Sequence, residues 1–266
     1  MAVAFQGTAS PLSSEGLAEV ATNLGIHAPE IWAVLRVETQ GCGYLPDRRP
    51  QILYERHIFH RLTQGRFDDG DISDARPGGY GANGTHQYER LDAAIDDDRT
   101  AALQSTSWGL GQIMGENFAA VGFNDVEAMV AAMVESEDAQ LTAMGKFLDS
   151  TKLSAALRAH DWTTFARGYN GPTFAINRYD VRLNGEFQKL AVGVLPDLNV
   201  RAAQLYLTYH GFHPGQIDGV AGEPTLSALT QFQVEKALPQ TTTIDEEVIA
   251  QLRDALPSLN NVPTAA

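Results

Sequence analysis

Apolar residues recur at i, i+3, i+4 and i+7 in one segment of this chain after another, the spacing of one face of an α-helix. Leu17, Val20, Ala21 and Leu24 form such a stripe within residues 12–24, with Gly25 as its stop. Ile31, Val34 and Leu35 begin a second, with Pro29 where a first helical residue belongs. The pattern returns over 88–103 and strongly over 126–149, through Met129, Val130, Met133, Val134, Leu141, Met144 and Phe147. Trp162, Phe165, Ala166 and Tyr169 repeat it before Asn170-Gly171-Pro172, and a further helix is expected over 173–190. A mainly α fold follows. Residues 64–87 are rich in Gly and Asp without an apolar period, and read as a surface excursion, either a short hairpin or a mobile flap.

The stretch VGVLPDLNV (192–200) reads as a linker. Beyond it lies a compact unit with helices expected near 200–210, 224–236 and 245–255, and the final PSLNNVPTAA reads as a frayed tail. We therefore expect two unequal domains, 1–192 and 197–258, each with its own core.

Charge and cysteine content remove several function classes. The chain of 266 residues carries a net charge of −14, and no basic patch stands out against it, so neither nucleic acid nor a membrane surface is an expected partner. No run approaches the roughly 18 apolar residues that span a bilayer. The amino terminus has no basic stretch followed by an apolar core, so no secretory signal is expected. The single cysteine, Cys42, excludes an internal disulfide framework and a cysteine-built zinc site. His57 and His60 stand at i, i+3 without a third ligand at a recognised spacing; no metal or organic cofactor is expected.

Chemistry enters at Glu38, which occupies the i+7 position of the Ile31 stripe, in VETQGCG (37–43). An acid on the inward face of a helix costs desolvation energy. Burial favours its neutral form, which a general acid needs near neutral pH. The plain alternative is a surface glutamate at a helix end. In STSWGLGQIM (105–114), Gly109 and Gly111 permit close approach by a ligand, and Gln112 offers a donor and an acceptor to a sugar or acetamide. Trp108 there is equally a buried aromatic beside a helix cap. ARGYNGP (166–172) puts Tyr169 on an apolar face and Asn170 at a helix end, which also suits a core tyrosine and a C-terminal stop.

Taken in order, Glu38 in VETQGCG, then SWGLGQIM, then ARGYNGP resemble the lysozyme-like superfamily of goose-type lysozymes and lytic transglycosylases, and within it the N-acetylmuramidase domain of phage endolysins and some bacterial toxins. The resemblance covers about 10–190 and implies a lysozyme-like helical domain with a small hairpin or loop lobe. It further implies Glu38 as catalytic acid, Tyr169 orienting it, and Gln112 and Asn170 touching glycan. Trp108 is a separate candidate substrate contact. Thr39 and Gly111 depart from the pattern, which carries serine and methionine there, so hydrolysis and anhydro-sugar formation both stay open. A second carboxylate is a requirement of two-acid glycosidases. Glu55 in QILYERHIFH (51–60) is the candidate, with Tyr54 beside it as a glycan contact; Glu55 paired with Arg56 or Arg61 is the alternative. Asp68, Asp69, Asp71 and Asp74 are further acids, read as loop solvation. Residues 200–238 resemble a three-helix peptidoglycan-binding domain, with Asp218, Thr225 and Gln233 as conceivable contacts.

The expected activity is cleavage of the β-1,4 bond between N-acetylmuramic acid and N-acetylglucosamine. Lytic transglycosylation, a cysteine amidase using Cys42 with His57 or His60, and a non-enzymatic wall binder are the rivals. The expected partner is bacterial peptidoglycan, met by a monomer made in the cytoplasm and delivered through a holin or secretion system. A secreted toxin version needs an immunity protein.

Overall fold

A computed structural model describes residues 4–38, 42–67 and 69–259. Thr39 and Asp68, both singled out above, lie outside them. The first unit is built from α1 (Ser14–Leu24), α2 (Ala28–Glu38), β1 (Ile52–Tyr54), α3 (Arg56–Leu62), α4 (Thr85–Gln104), β2 (Thr106–Trp108) and β3 (Ile113–Met114), then α5 (Val126–Glu135), α6 (Glu137–Ser150), α7 (Leu153–Arg158), α8 (Trp162–Asn170) and α9 (Tyr179–Val192). The second unit is α10 (Leu198–Tyr209), α11 (Glu223–Glu235) and α12 (Glu246–Asp254). Mainly α is the correct class. No helix among the described residues is long and apolar enough to cross a membrane.

Local chemistry sets the boundaries. Ser13 caps α1 by accepting from the Gly16 amide, and Gly25 ends it at φ 64°, a conformation that suits glycine. The stripe over 126–149 is two helices, because Ser136 is extended and caps α6 by accepting from the Ala139 amide. The N-terminal segment fills the break: Ser10 N donates to Glu135 O (2.9 Å) and Glu137 N to Ser10 O (2.9 Å).

The small lobe is a three-stranded antiparallel sheet in the order β1-β2-β3. Its hairpin is β2–β3, and not the 64–87 excursion. That excursion is tied down at its middle: Ile72 and Ser73 are buried, the Tyr54 hydroxyl donates to Ile72 O (2.8 Å), and Gln87 Nε2 donates to Tyr80 O (2.6 Å) and Ala82 O (2.7 Å). Asp69, Asp71 and Asp74 serve the loop, Asp69 accepting from the Asp71 amide, Asp71 facing Arg90, and Asp74 pairing with Arg56 and Arg76.

α2 packs chiefly on α9 and buries Ile31 to Leu35 and Val37, so it is a central helix with more than one apolar stripe. The cores of the two units are less separate than the sequence suggests. The second unit's core includes Ala9, Cys42 and Tyr44 of the first. Arg201 of α10 pairs with Glu137 of α6, both side chains 0% exposed, with Arg201 Nη2 donating to Oε1 at 2.7 Å. Glu137 also accepts from Leu12 N (2.8 Å) and Gly43 N (2.9 Å).

Candidate active site

Glu38 is the last residue of α2 and lines a cleft of about 500 Å³ with Leu45, Gln51, Leu53, Asn83 and Gln112. The cleft therefore runs between the central helix, β1, the long loop and the β2–β3 turn. Asn170, the last residue of α8, donates from Nδ2 to Glu38 Oε2 at 2.8 Å. Oε1 is buried without a hydrogen-bond partner among the described residues. Burial pushes the Glu38 carboxyl up to about 7, although the Asn170 amide and the Arg182 guanidinium pull the other way. Its neutral, proton-bearing form is thus favoured over that of a free carboxyl, which suits a proton donor.

Asn170 and Tyr169 differ in partner from expectation. The Tyr169 hydroxyl donates to Gly111 O (2.6 Å) while its ring stacks on Phe165, so it binds α8 to the β2–β3 turn. Asn170 is the residue that holds Glu38. Gln112 lines the cleft as expected, in a left-handed conformation at φ 47°, with Nε2 donating to Gly109 O (2.9 Å) and Gln51 O (3.2 Å).

Two expected glycan contacts are corrected. Tyr54 and Trp108 are 0% exposed; the Tyr54 hydroxyl is committed to Ile72, and Trp108 Nε1 donates to Leu103 O (3.2 Å). Both belong to the buried core of the first unit. The glycines are corrected too. A Cβ on Gly109 would stand 2.4 Å from Gln140 Cδ, and one on Gly111 2.8 Å from Met144 Cβ, so they admit side chains of α6 and not a ligand. In the second unit, Asp218 and Thr225 are occupied by Gln204, whose Oε1 accepts from the Asp218 and Gly219 amides. Gln233 accepts from the Thr241 amide.

Glu55 follows β1 as the N-cap residue of α3 and is not among the residues lining the cleft, although Ile52 and Leu53 of β1 are. Its Oε2 lies 3.2 Å from His57 Nδ1. Burial raises its carboxyl, while His57, Tyr80 and Arg90 act to lower it. The pairing with Arg56 or Arg61 is not formed: Arg56 meets Gly70 O and Asp74, and Arg61 meets Glu116.

Cys42 is buried, with Sγ donating to Tyr44 O (3.3 Å), and burial with the nearby Glu137 charge pushes the thiol up to about 12. Such a thiol is protonated at neutral pH and a poor nucleophile. His57 faces Glu55, and His60 Nδ1 faces Ser73 Oγ (3.3 Å).

Sequence reasoning missed Gln51, Asn83 and Arg182. Asn83 sits in a Gly-rich loop that looks like solvated surface, and Arg182 lies on a helix whose pattern carries no sign of its neighbour.

The family model for N-acetylmuramidase matches residues 27–191, and that for a putative peptidoglycan-binding domain matches 196–252. The crystal structure of the Burkholderia AP3 phage endolysin is similar at 40% identity and a TM-score of 0.63, over 68% of this chain and 70% of that one. A search of curated proteins gave no match. The catalytic-family match covers more than half of the chain and contains Glu38, Gln112, Tyr169 and Asn170, and the chain belongs to the N-acetylmuramidase family, as a peptidoglycan hydrolase that carries its own peptidoglycan-binding domain.

Proposed function

We propose that the protein hydrolyses the β-1,4 bond between N-acetylmuramic acid and N-acetylglucosamine, with Glu38 as general acid. Residues 1–192 are the catalytic domain, and 197–258 hold the enzyme on the insoluble polymer, where effective concentration speeds attack. The observation that carries this reading is the Glu38 carboxyl itself, raised to about 7 and fixed through one oxygen by Asn170 at the wall of a cleft. Its proton passes to the glycosidic oxygen as the bond to the muramyl C1 breaks. Water then attacks the oxocarbenium-like centre, giving up a proton to the Glu38 carboxylate and so restoring the acid; the centre is stabilised by a carboxylate or by the substrate's own acetamide. Glu55, the residue between β1 and α3, is the carboxylate we assign to that centre. The enzyme acts as a monomer on the cell wall after leaving the cytoplasm in which it is made.

Glu38→Gln keeps the shape and the Asn170 neighbour but has no proton to give. Purified variant is expected to lose on the order of 10²–10⁴-fold in wall-clearing rate. Near wild-type clearing refutes the assignment. Product analysis of the wild type tests the bond: new muramyl reducing ends are expected. Anhydro-muramyl ends identify a transglycosylase instead, and free amines an amidase.

A further inference from the structure

A second cavity, of about 580 Å³, lies between α2, α9 and the turn that follows α10. Its walls include Arg36 and Val37 of α2, Arg182, Glu186 and Lys189 of α9, and Asp218 of the second unit. We propose that this cavity holds a carboxylate of the peptidoglycan stem peptide while the attached muramyl residue occupies the cleft at Glu38. The proposal rests on the Glu38 assignment and adds a substrate contact to it.

Charge is the first argument. The chain carries a net −14 and as a whole repels an anionic polymer. In this cavity three cations meet two carboxylates. Arg36 (3.4 Å) and Lys189 (2.6 Å) share the single carboxylate of Glu186. Arg182 donates to Val37 O (3.2 Å) and forms no ion pair among the described residues. Asp218 is turned inward, its Oδ1 accepting from Gln204 Nε2 (3.1 Å) and the Val220 amide (2.9 Å). An incoming carboxylate therefore meets guanidinium and ammonium groups that are underneutralised.

Position is the second argument. Val37 lines this cavity, and the next residue, Glu38, lines the cleft. Arg182 borders the cavity and is close enough to stabilise the Glu38 charge. From Arg182 to Lys189 the helix rises about 10 Å at 1.5 Å per residue, which matches the reach of about three extended peptide residues. Muramic acid is the sugar that carries the peptide, so a muramyl ring held beside Glu38 can send its stem along α9. Because the turn containing Gln216 and Asp218 forms one wall, the pocket is incomplete without the second unit. The wall-binding domain thereby takes part in reading the substrate.

The test uses the full chain. In a titration, a synthetic stem tripeptide with a free C-terminal carboxylate is compared with its C-terminal amide by calorimetry. The acid is expected to bind about tenfold more tightly than the amide, and Arg36→Gln/Lys189→Gln to remove that difference. Both side chains reach solvent, so the double variant keeps the fold. In kinetics, the ratio of kcat/KM on peptide-bearing to peptide-free glycan is expected to fall about tenfold in the same variant. Equal binding of acid and amide, no binding of either, or an unchanged kinetic ratio overturns the proposal. The titration reads the carboxylate contact and the Glu38→Gln clearing assay reads the proton donor, so failure of one is distinguishable from failure of the other.

Discussion

Replacing Arg201 by methionine tests whether the two units are one cooperative structure. Arg201 and Glu137 are fully buried, and Glu137 also receives the Leu12 and Gly43 amides. Methionine has similar length and no charge, so little volume is lost while the carboxylate remains with two amide donors in place of a guanidinium. Removing one partner of a buried pair costs about 3–5 kcal/mol. At about 2–4 °C per kcal/mol for a chain of this size, the melting temperature falls by on the order of 6–20 °C. Differential scanning calorimetry at neutral pH reads this directly, and the transition is expected to move as a single peak. The double variant Arg201→Met/Glu137→Gln is expected to recover part of the loss, since no buried charge is then left unpaired. A single variant melting within about 2 °C of wild type, or a first unit that melts unshifted while only the second moves, refutes the reasoning. The same geometry bears on the expectation that each unit has its own core, because the second core takes in Ala9, Cys42 and Tyr44 of the first. Cutting before Pro196 strands the Glu137 charge and bares Ala9, Cys42 and Tyr44, so the truncated protein is expected to aggregate on purification.

The remaining predictions concern the cleft. With Glu38 raised from 4.5 to about 7, activity needs the protonated form, so kcat/KM is expected to fall as pH rises through about 7; a flat profile from pH 6 to 8 counts against Glu38 as the acid. The same shift destabilises the folded state as pH rises from 4.5 through about 7, by about 3 kcal/mol once ionisation is complete. Glu38→Gln is therefore expected to melt higher than wild type at pH 8 and much like it at pH 4.5. Asn170→Ala removes an amide that favours the ionised carboxylate, so the basic limb is expected to move to higher pH while the rate falls about 10–100-fold through lost positioning; an unmoved limb refutes that role. Glu55→Gln is expected to lower kcat far more than it changes KM, and an active variant shows that Glu38 works as a single acid.

Much of this was legible from periodicity and turn chemistry, because both act over a few residues. The stripe of Leu17 to Leu24 and its stop at Gly25 became α1, the Trp162 stripe became α8, and the three helices after Pro196 appeared close to their expected bounds. Glu38 was visible for the same reason: an acid in phase with Ile31, Val34 and Leu35 is anomalous within its own helix. Features that depend on distant partners were not visible. Ser136 breaks an apparently continuous stripe because Ser10, far away in sequence, pairs across the gap. Gly109 and Gly111 looked like room for a ligand and proved to be room for α6.

The sequence by itself determined the helical class, the two-unit order and the identity of the inward acid, since these follow from local spacing. Tertiary structure alone decided that Asn170 holds that acid while Tyr169 holds the turn, that Tyr54 and Trp108 are fully buried, and that Arg201 joins the units through Glu137. The physical reason is that burial and hydrogen-bond partnership belong to pairs of surfaces brought together by the whole chain. A helical period states which face turns inward and leaves open what that face will meet.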